Sequence, residues 1–399
     1  MNIFKKAYCR TFQGVMNLLL PMMPYREPKI LNSVQEIANE LLTNQIEKVM
    51  VVIDKGIEKL GLHKGVENNL KENNIEYVVY NEVIPNPTID VIEKAVEEYI
   101  SSGCKSLIAI GGGSVIDCAK GIGARIASPK KTLNKMKGLL KVKGELPKFF
   151  AVPTTAGTGS ETTVSAVITD SETHHKFVIN DFNLIPHYAV LDPELTVSLP
   201  PYLTATTGMD ALTHAIEAYI GGAVTEKTKK YALDAARLVF DNLPKVVEDG
   251  KNVKARANML RAAYLGGLAF TRSYVGYVHA IAHSLGGKYG VAHGEANAVL
   301  LPYVLDEYGP KIHKKLREMA IYCDIAKKYD SEEIASSKLI NKIIEMNELF
   351  GIPKVFNCIK EDDISEMSKM ADKEANPLYP VPVLMSAKEL EKLYYRVKA

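Results

Sequence analysis

Five residues in the second half of the chain are of types that hold divalent metals: Asp210, His214, His279, His283 and His293. Asp210 and His214 stand four apart in Gly-Met-Asp-Ala-Leu-Thr-His (208–214), and His279 and His283 repeat that spacing in His-Ala-Ile-Ala-His. Positions four apart share one face of a helix, so each pair can aim two donors at one point. Neutral imidazole and carboxylate suit iron, zinc and other first-row divalent ions. Of nine histidines in the chain, four fall in this set, a concentration that makes a metal-dependent enzyme the first reading. A single histidine among apolar helical residues is more often a hydrogen-bonded core residue; two pairs and a fifth donor are harder to explain that way. The zinc-protease motif is disfavoured, because alanine stands where its glutamate base belongs. Spacing alone does not choose among the five.

These residues need elements to position them. A chain of 399 residues exceeds a usual single domain, and two are expected. From about residue 25 to 200, short apolar runs alternate with helical patterns: 49–53, 77–80, 107–110 and 149–152 read as strands buried on both faces, with a helix from Thr88 to Ile100 capped by Thr88. Alternation of this kind predicts a parallel sheet with right-handed crossovers. The stretches 166–169 and 176–179 read as a hairpin. Beyond Pro200-Pro201 the spacing turns helical almost to the end, with breaks expected at Gly221-Gly222, Pro244, Gly250, Gly286-Gly287, Gly351 and Pro377 to Pro382. The expected division is an amphipathic extension over 1–24, an α/β dinucleotide-binding domain over 25–200 and an all-helical metal-binding domain over 201–399, with the reaction in a cleft between the last two.

The bulk properties narrow the partners. A formal charge of +2 without basic or acidic blocks gives no nucleic-acid surface. Five scattered cysteines without a Cys-x-x-Cys pair argue against a disulfide framework and for the cytoplasm. The apolar run 15–23 is interrupted by Asn17 and Pro21, lacks a cleavage site and is too short to span a bilayer. Phe4, Tyr8, Phe12, Met16 and Leu20 recur every fourth position, which predicts an amphipathic helix packed on the body by that stripe.

Chemistry also gathers after the strands. Gly111-Gly112-Gly113-Ser114 joins a strand to a helix, where backbone amides can approach a phosphate. It matches neither the dinucleotide fingerprint nor a P-loop. Asp54 ends its strand, where a carboxylate can accept from ribose hydroxyls, but it precedes the glycine turn instead of following it. Thr154 to Thr163 offers hydroxyls and glycines without a nucleophile–base pair, so a polar ligand loop is expected.

Together, Pro85-Asn86-Pro87-Thr88, Gly111-Gly112-Gly113-Ser114-x-x-Asp117, the Thr154–Thr163 loop, Gly208-x-Asp210-Ala211-x-x-His214, and His279-x-x-x-His283 followed by His293-Gly294 resemble the iron-containing (group III) alcohol dehydrogenase family. The similarity runs in the family's order over about residues 25–395. It implies a dehydroquinate synthase-like architecture: an α/β domain with a parallel Rossmann-like sheet, then an all-α domain. It further implies Fe²⁺, with Zn²⁺ as the other candidate, held by Asp210, His214, His279 and His293. His283 then lies beside the metal as a substrate-positioning or proton-transfer residue. NAD contacts are implied for Asp54, Asn86, Gly113, Ser114, Thr154, Thr155, Thr163, Lys176 and Leu195. One departure is local: the family's glycine-rich turn is absent near Ile30-Leu31-Asn32-Ser33.

The implied reaction is hydride transfer between a small primary alcohol or diol and a nicotinamide, reversible as aldehyde reduction, in a homodimer or larger homo-oligomer. The rival readings are a glycerol-type dehydrogenase or dehydroquinate synthase-like lyase, and a catalytically silent metal- and nucleotide-binding protein. His214, a fourth donor that those relatives lack, favours the alcohol dehydrogenase branch. Phe270, Tyr274 and Tyr277 are the candidate pocket-lining residues.

Overall fold

Unbroken runs of Val, Ile, Leu, Ala and Phe are stable as strands only when both faces are covered. The computed structural model describes residues 1–173 and 175–399, and in it such runs form the centre of the unit spanning 24–199. Its strands are β1 (Lys29–Leu31), β2 (Lys48–Asp54), β3 (Glu76–Val83), β4 (Ser106–Gly111), β5 (Gly138–Leu139), β6 (Lys148–Pro153), β7 (Ser165–Thr169), β8 (Lys176–Asn180) and β9 (Tyr188–Val190). Six of them make a sheet in the order β1-β9-β6-β4-β2-β3, every neighbouring pair parallel. The side-chain period of two sends Met50, Val52, Leu107, Ala109 and Phe149 to one apolar layer, with Ile92, Ile116 and Ile122. Val51, Ile53, Ile108, Ile110, Phe150 and Val152 enter the other, with Ile37, Leu41 and Leu70.

One expectation for the sheet needs correction, and one open loop is now defined. The run Tyr77–Tyr80 is not buried on both faces: β3 is the sheet's edge, and most of its residues are partly or fully exposed. Where the glycine-rich turn is missing, Lys29–Leu31 forms β1 against β9, and Ser33 then accepts from Gln35 N at 3.2 Å to start a short turn of helix. The helix Ile89–Ser101 does begin at Thr88, whose hydroxyl accepts from Val91 N. β7 and β8 form the antiparallel hairpin, extended by β5 alongside β8.

The other unit comprises 200–399 together with 1–23. Among its helices are Pro201–Ile220, Glu226–Glu248, Val253–Ser273, Tyr277–Tyr289, His293–Tyr308 and Glu361–Ala375. Pro244 and Gly286-Gly287 do not break it as expected. Pro244 lies in the closing residues of Glu226–Glu248, where it forfeits one intrahelical bond and the helix still runs on. The stop after 277–289 comes instead from Gly290, at φ 70° in the left-handed region. No described helix is long and apolar enough to cross a membrane.

Residues 1–23 carry the helix Ile3–Leu19, but the docked face differs from the expected stripe. Of the stripe, Phe4 and Tyr8 are exposed, at 83% and 61%, Phe12 and Met16 are half-buried and Leu20 is buried, while Cys9 and Gln13, off the stripe, are buried. The stripe is covered only toward its C-terminal end, and polar contacts complete the docked face: Arg10 and Gln13 donate to backbone carbonyls of residues 377–382.

Candidate functional site

The helix Pro201–Ile220 is buried over nearly its whole length, so its polar side chains face protein rather than water. Asp210 and His214 lie one turn apart on it. His279 is two residues into the helix Tyr277–Tyr289, and His293 opens the helix His293–Tyr308. One donor atom from each of these four residues lies within 4.8 Å of all the others. His279 Nε2 is 3.7 Å and His293 Nε2 3.4 Å from Asp210 Oδ1. The rings of His214 and His279 stack with centroids 4.5 Å apart, and Phe270 covers the other side of His214 at 4.2 Å. Gly294 permits the close approach of the third helix, since a Cβ there would stand 2.5 Å from the Thr206 carbonyl oxygen.

Electrostatics bind the cluster together. Burial pushes the Asp210 carboxyl up, yet His214, His293 and His279 outweigh it and hold the group well below the ordinary carboxylate range. Burial pulls His279 down, but its contacts with Asp210 and Glu217 raise it to about 9. For His293 burial wins, and the imidazole falls to about 4. Buried His279 Nε2 has no hydrogen-bond partner among the described residues although it points toward the group. An orphaned imidazole nitrogen beside a buried carboxylate is what a ligand set looks like when the ring's other nitrogen is already committed.

That other nitrogen, Nδ1 of His279, meets Glu217 Oε2 at 2.7 Å. Glu217 also accepts from the backbone amides of Gly276 and Val278, each at 2.8 Å, so one carboxylate caps the helix start and orients the ring. Asn297 Nδ2 donates to Asp210 Oδ1 at 2.7 Å. His283 stands outside the four. Its side chain is 45% exposed, its ring stacks on His293 at 5.2 Å, and its Nδ1 is 2.7 Å from Glu374 Oε1, which also accepts from the Tyr379 hydroxyl at 2.9 Å. Glu217, Asn297, Glu374 and Tyr379 all escaped the sequence reading. Glu217, seven residues after Asp210, and Asn297, four after His293, left a local signal on the same helical faces. Among the proposed lining residues, Tyr277 is corrected: it is fully buried and its hydroxyl bonds Asn376 and Met385.

In the 24–199 unit, Asp54, Gly111 and Pro153 end the adjacent strands β2, β4 and β6. Carboxyl ends of parallel strands are where open α/β sheets bind ligands. Asp54 Oδ1 accepts from Ile57 N at 2.8 Å, capping the following helix, while Lys55 pairs with Glu58. Asn86, at φ 56°, brings its amide to Ser114 Oγ at 3.4 Å. Thr154 N donates to Gly111 O, and a Cβ on Gly113 would stand 3.2–3.4 Å from Thr158 and Ser160, so the glycine turn and the threonine loop lie together. Thr155 faces Gly112. Lys176 pairs across the hairpin with Thr169, whose amide donates to Pro87 O beside Asn86. Leu195 is buried in the turn after β9. The Thr163 hydroxyl is engaged by the buried Lys120 ammonium at 2.6 Å, and Lys120 also donates to the Thr163 and Ser165 carbonyls.

This combination of a parallel sheet, glycine and threonine loops and an Asp–His₃ group on helices has close counterparts. The model of the family "Iron-containing alcohol dehydrogenase" matches residues 29–193, and that of the Fe-containing alcohol dehydrogenase C-terminal part matches 204–397. The chain is 38% identical over 353 residues to alcohol dehydrogenase 4 of Schizosaccharomyces pombe, covering 86% of this chain and 82% of that one. It is 38% identical over 338 residues to 1,3-propanediol dehydrogenase of Citrobacter freundii, covering 83% and 86%. A crystal structure of 1,3-propanediol oxidoreductase superposes at a TM-score of 0.89 with 34% identity, over 94% of this chain and 98% of that one. The chain belongs to the iron-containing alcohol dehydrogenase family. It is therefore an alcohol oxidoreductase, and the family implies iron and NAD(H) as cofactors.

The support of His279 by Glu217 has a measurable consequence. Glu217→Gln keeps the side chain's size but places an amide where two backbone N–H groups and the ring compete for acceptors. Affinity for added Fe(II) or Zn(II) is expected to fall about 10–100-fold, as is usual when a group that orients a metal-binding histidine is removed. Equilibrium dialysis giving the same affinity as the parent protein would show that Glu217 serves only as a helix cap.

Proposed function

We propose that this chain is an NAD-linked dehydrogenase of small primary alcohols or diols, working in reverse as an aldehyde reductase, with its metal held by Asp210, His214, His279 and His293. The observation that carries the reading is the convergence of those four donors around the buried, hydrogen-bond-free Nε2 of His279. When bound, iron or zinc supplies Lewis-acid polarisation of the substrate oxygen, and the nicotinamide accepts or supplies hydride.

The chain's own groups do the rest. Asp210 supplies the single buried negative charge of the set, and Glu217 fixes the tautomer of His279 by taking its Nδ1 proton in a hydrogen bond. His283 is the group that takes up or returns the substrate proton, with Glu374 accepting from its Nδ1 and so leaving Nε2 as the exchanging atom. Asn86, Gly113, Ser114, Thr154, Thr155, Thr163, Lys176 and Leu195 contact the cofactor, and Asp54 takes its adenosine ribose. The Thr163 hydroxyl and carbonyl both accept from Lys120, which fixes this residue in the loop. Five unbridged cysteines support a cytoplasmic setting, and a closed homo-oligomer, at least a two-fold dimer, is the assembly in view.

Metal analysis of purified variants separates the roles. His279→Ala or His214→Ala is expected to lose metal and activity together. His283→Ala is expected to retain metal while its rate falls about 10²–10⁴-fold. A metal-free His283→Ala protein beside a fully loaded His279→Ala protein would reverse the assignment.

Cofactor choice rests on Asp54. A ribose 2′-phosphate carries about −1.5 to −2 charges, and a carboxylate at the end of β2 repels it; Lys55, the nearest offsetting cation in sequence, pairs with Glu58. Several kcal/mol of repulsion before relaxation corresponds to a preference for NADH of about a hundredfold or more. Asp54→Gly is expected to relax it. Steady-state kcat/KM for NADPH equal to or above that for NADH in the parent enzyme would contradict this.

A further inference from the structure

The helix Ile3–Leu19 lies outside the residues matched by the family models, yet its buried side is joined to one particular segment of the helical unit. Arg10 Nη1 donates to the Val381 carbonyl at 2.8 Å, and Nη2 donates to that of Pro382 at 2.9 Å. Gln13 Nε2 donates to the carbonyls of Pro377 at 3.1 Å and Tyr379 at 2.7 Å, while its Oε1 accepts from Arg10 at 2.9 Å. Asn17 Nδ2 donates to the Gly222 carbonyl at 2.9 Å, and the Gly222 amide donates to Pro380 O at 2.6 Å. Thus every carbonyl from Tyr379 to Pro382 has a donor; three of those bonds come from this helix itself and the fourth from Gly222, a residue it holds.

The segment needs outside donors. Pro377, Pro380 and Pro382 lack amide protons, so it cannot build a regular ladder of its own; Val381 N donates to Tyr379 O at 2.8 Å, and the other carbonyls depend on donors from outside the segment. It also reaches the site. The Tyr379 hydroxyl donates to Glu374 Oε1, the same oxygen that His283 Nδ1 meets at 2.7 Å. The path runs by hydrogen bond from Gln13 to the Tyr379 carbonyl, through the covalent frame of that residue to its hydroxyl, and by hydrogen bonds on to Glu374 and His283.

We propose that Arg10 and Gln13 are positioning residues: the helix Ile3–Leu19 latches residues 377–382 so that Tyr379 and Glu374 hold the His283 ring in its working orientation. The inference rests on the reading of His283 as the proton-handling group.

Gln13→Glu tests it in the full-length, metal-loaded enzyme, because glutamate matches glutamine in size but cannot donate to the two carbonyls. Amide exchange at Leu378, Tyr379, Val381 and Val383 is expected to accelerate at least about tenfold. kcat should fall about 10-fold or more, with KM for NADH and metal content unchanged. Tyr379→Phe, which removes only the hydroxyl, should lose kcat to a similar degree, so the test survives if Gln13→Glu folds poorly. Arg10→Lys, which keeps a charged donor, should recover much of the rate lost in Arg10→Leu. Unchanged exchange at 378–383 in Gln13→Glu would overturn the latch. Faster exchange with full kcat would overturn its link to His283, and His283→Ala then locates the failure. If that variant loses rate, the latch proposal alone is wrong; if it keeps full rate, the reading of His283 is wrong.

Discussion

Asp210 is 2% exposed in the middle of a buried helix, and the groups that hold its charge there are imidazoles. An ionised carboxylate is costly to take out of water unless it is paired and hydrogen-bonded. Three helices meet that demand with His214, His279 and His293, and Asn297 adds a hydrogen bond. Around this centre the packing follows. Gly294 lets the helix His293–Tyr308 touch the backbone of Pro201–Ile220, and Glu217 ties the start of Tyr277–Tyr289 to the same helix. A cluster with one negative charge and three imidazoles also carries an unpartnered nitrogen, His279 Nε2, which the proposed divalent ion would engage.

Two carboxylates a turn or two apart thus have different tasks. Asp210 faces the donor group, whereas Glu217 faces away from it, bonding the far nitrogen of His279 and two helix-start amides. Glu374 repeats the second arrangement for His283 at the edge of the cluster. His279 and His283 therefore each have Nδ1 held by a carboxylate, which sets the tautomer and leaves Nε2 for other contacts.

Much of this was legible in the residues. The i, i+4 pairs at 210/214 and 279/283 are local, and helical geometry makes them visible without tertiary information. β2, β4 and β6 were visible because burial on both faces leaves unbroken apolar runs, whereas β3 is an exposed edge and β1 and β9, of three residues each, were not read. Distinguishing His283 from the donor set was beyond spacing: on one helix both His279 and His283 face the same side, and only the helix carrying His293 decides which ring is enclosed. Glu374 and Tyr379 lie about a hundred residues from His283 in the chain, and no local pattern announces such a pairing. For the helix Ile3–Leu19 apolar periodicity gave only part of the docking face, since Phe4 and Tyr8 are exposed and the polar Arg10 and Gln13 supply contacts that seat it.

The account depends most on which side chains bind metal, and anomalous diffraction at the iron edge from crystals of the iron-loaded protein tests it directly. The predicted result is a single peak about 2.0–2.2 Å from an oxygen of Asp210 and from one nitrogen each of His214, His279 and His293, with His283 outside bonding distance. A peak bonded to His283, with His279 or His214 left out, would contradict it.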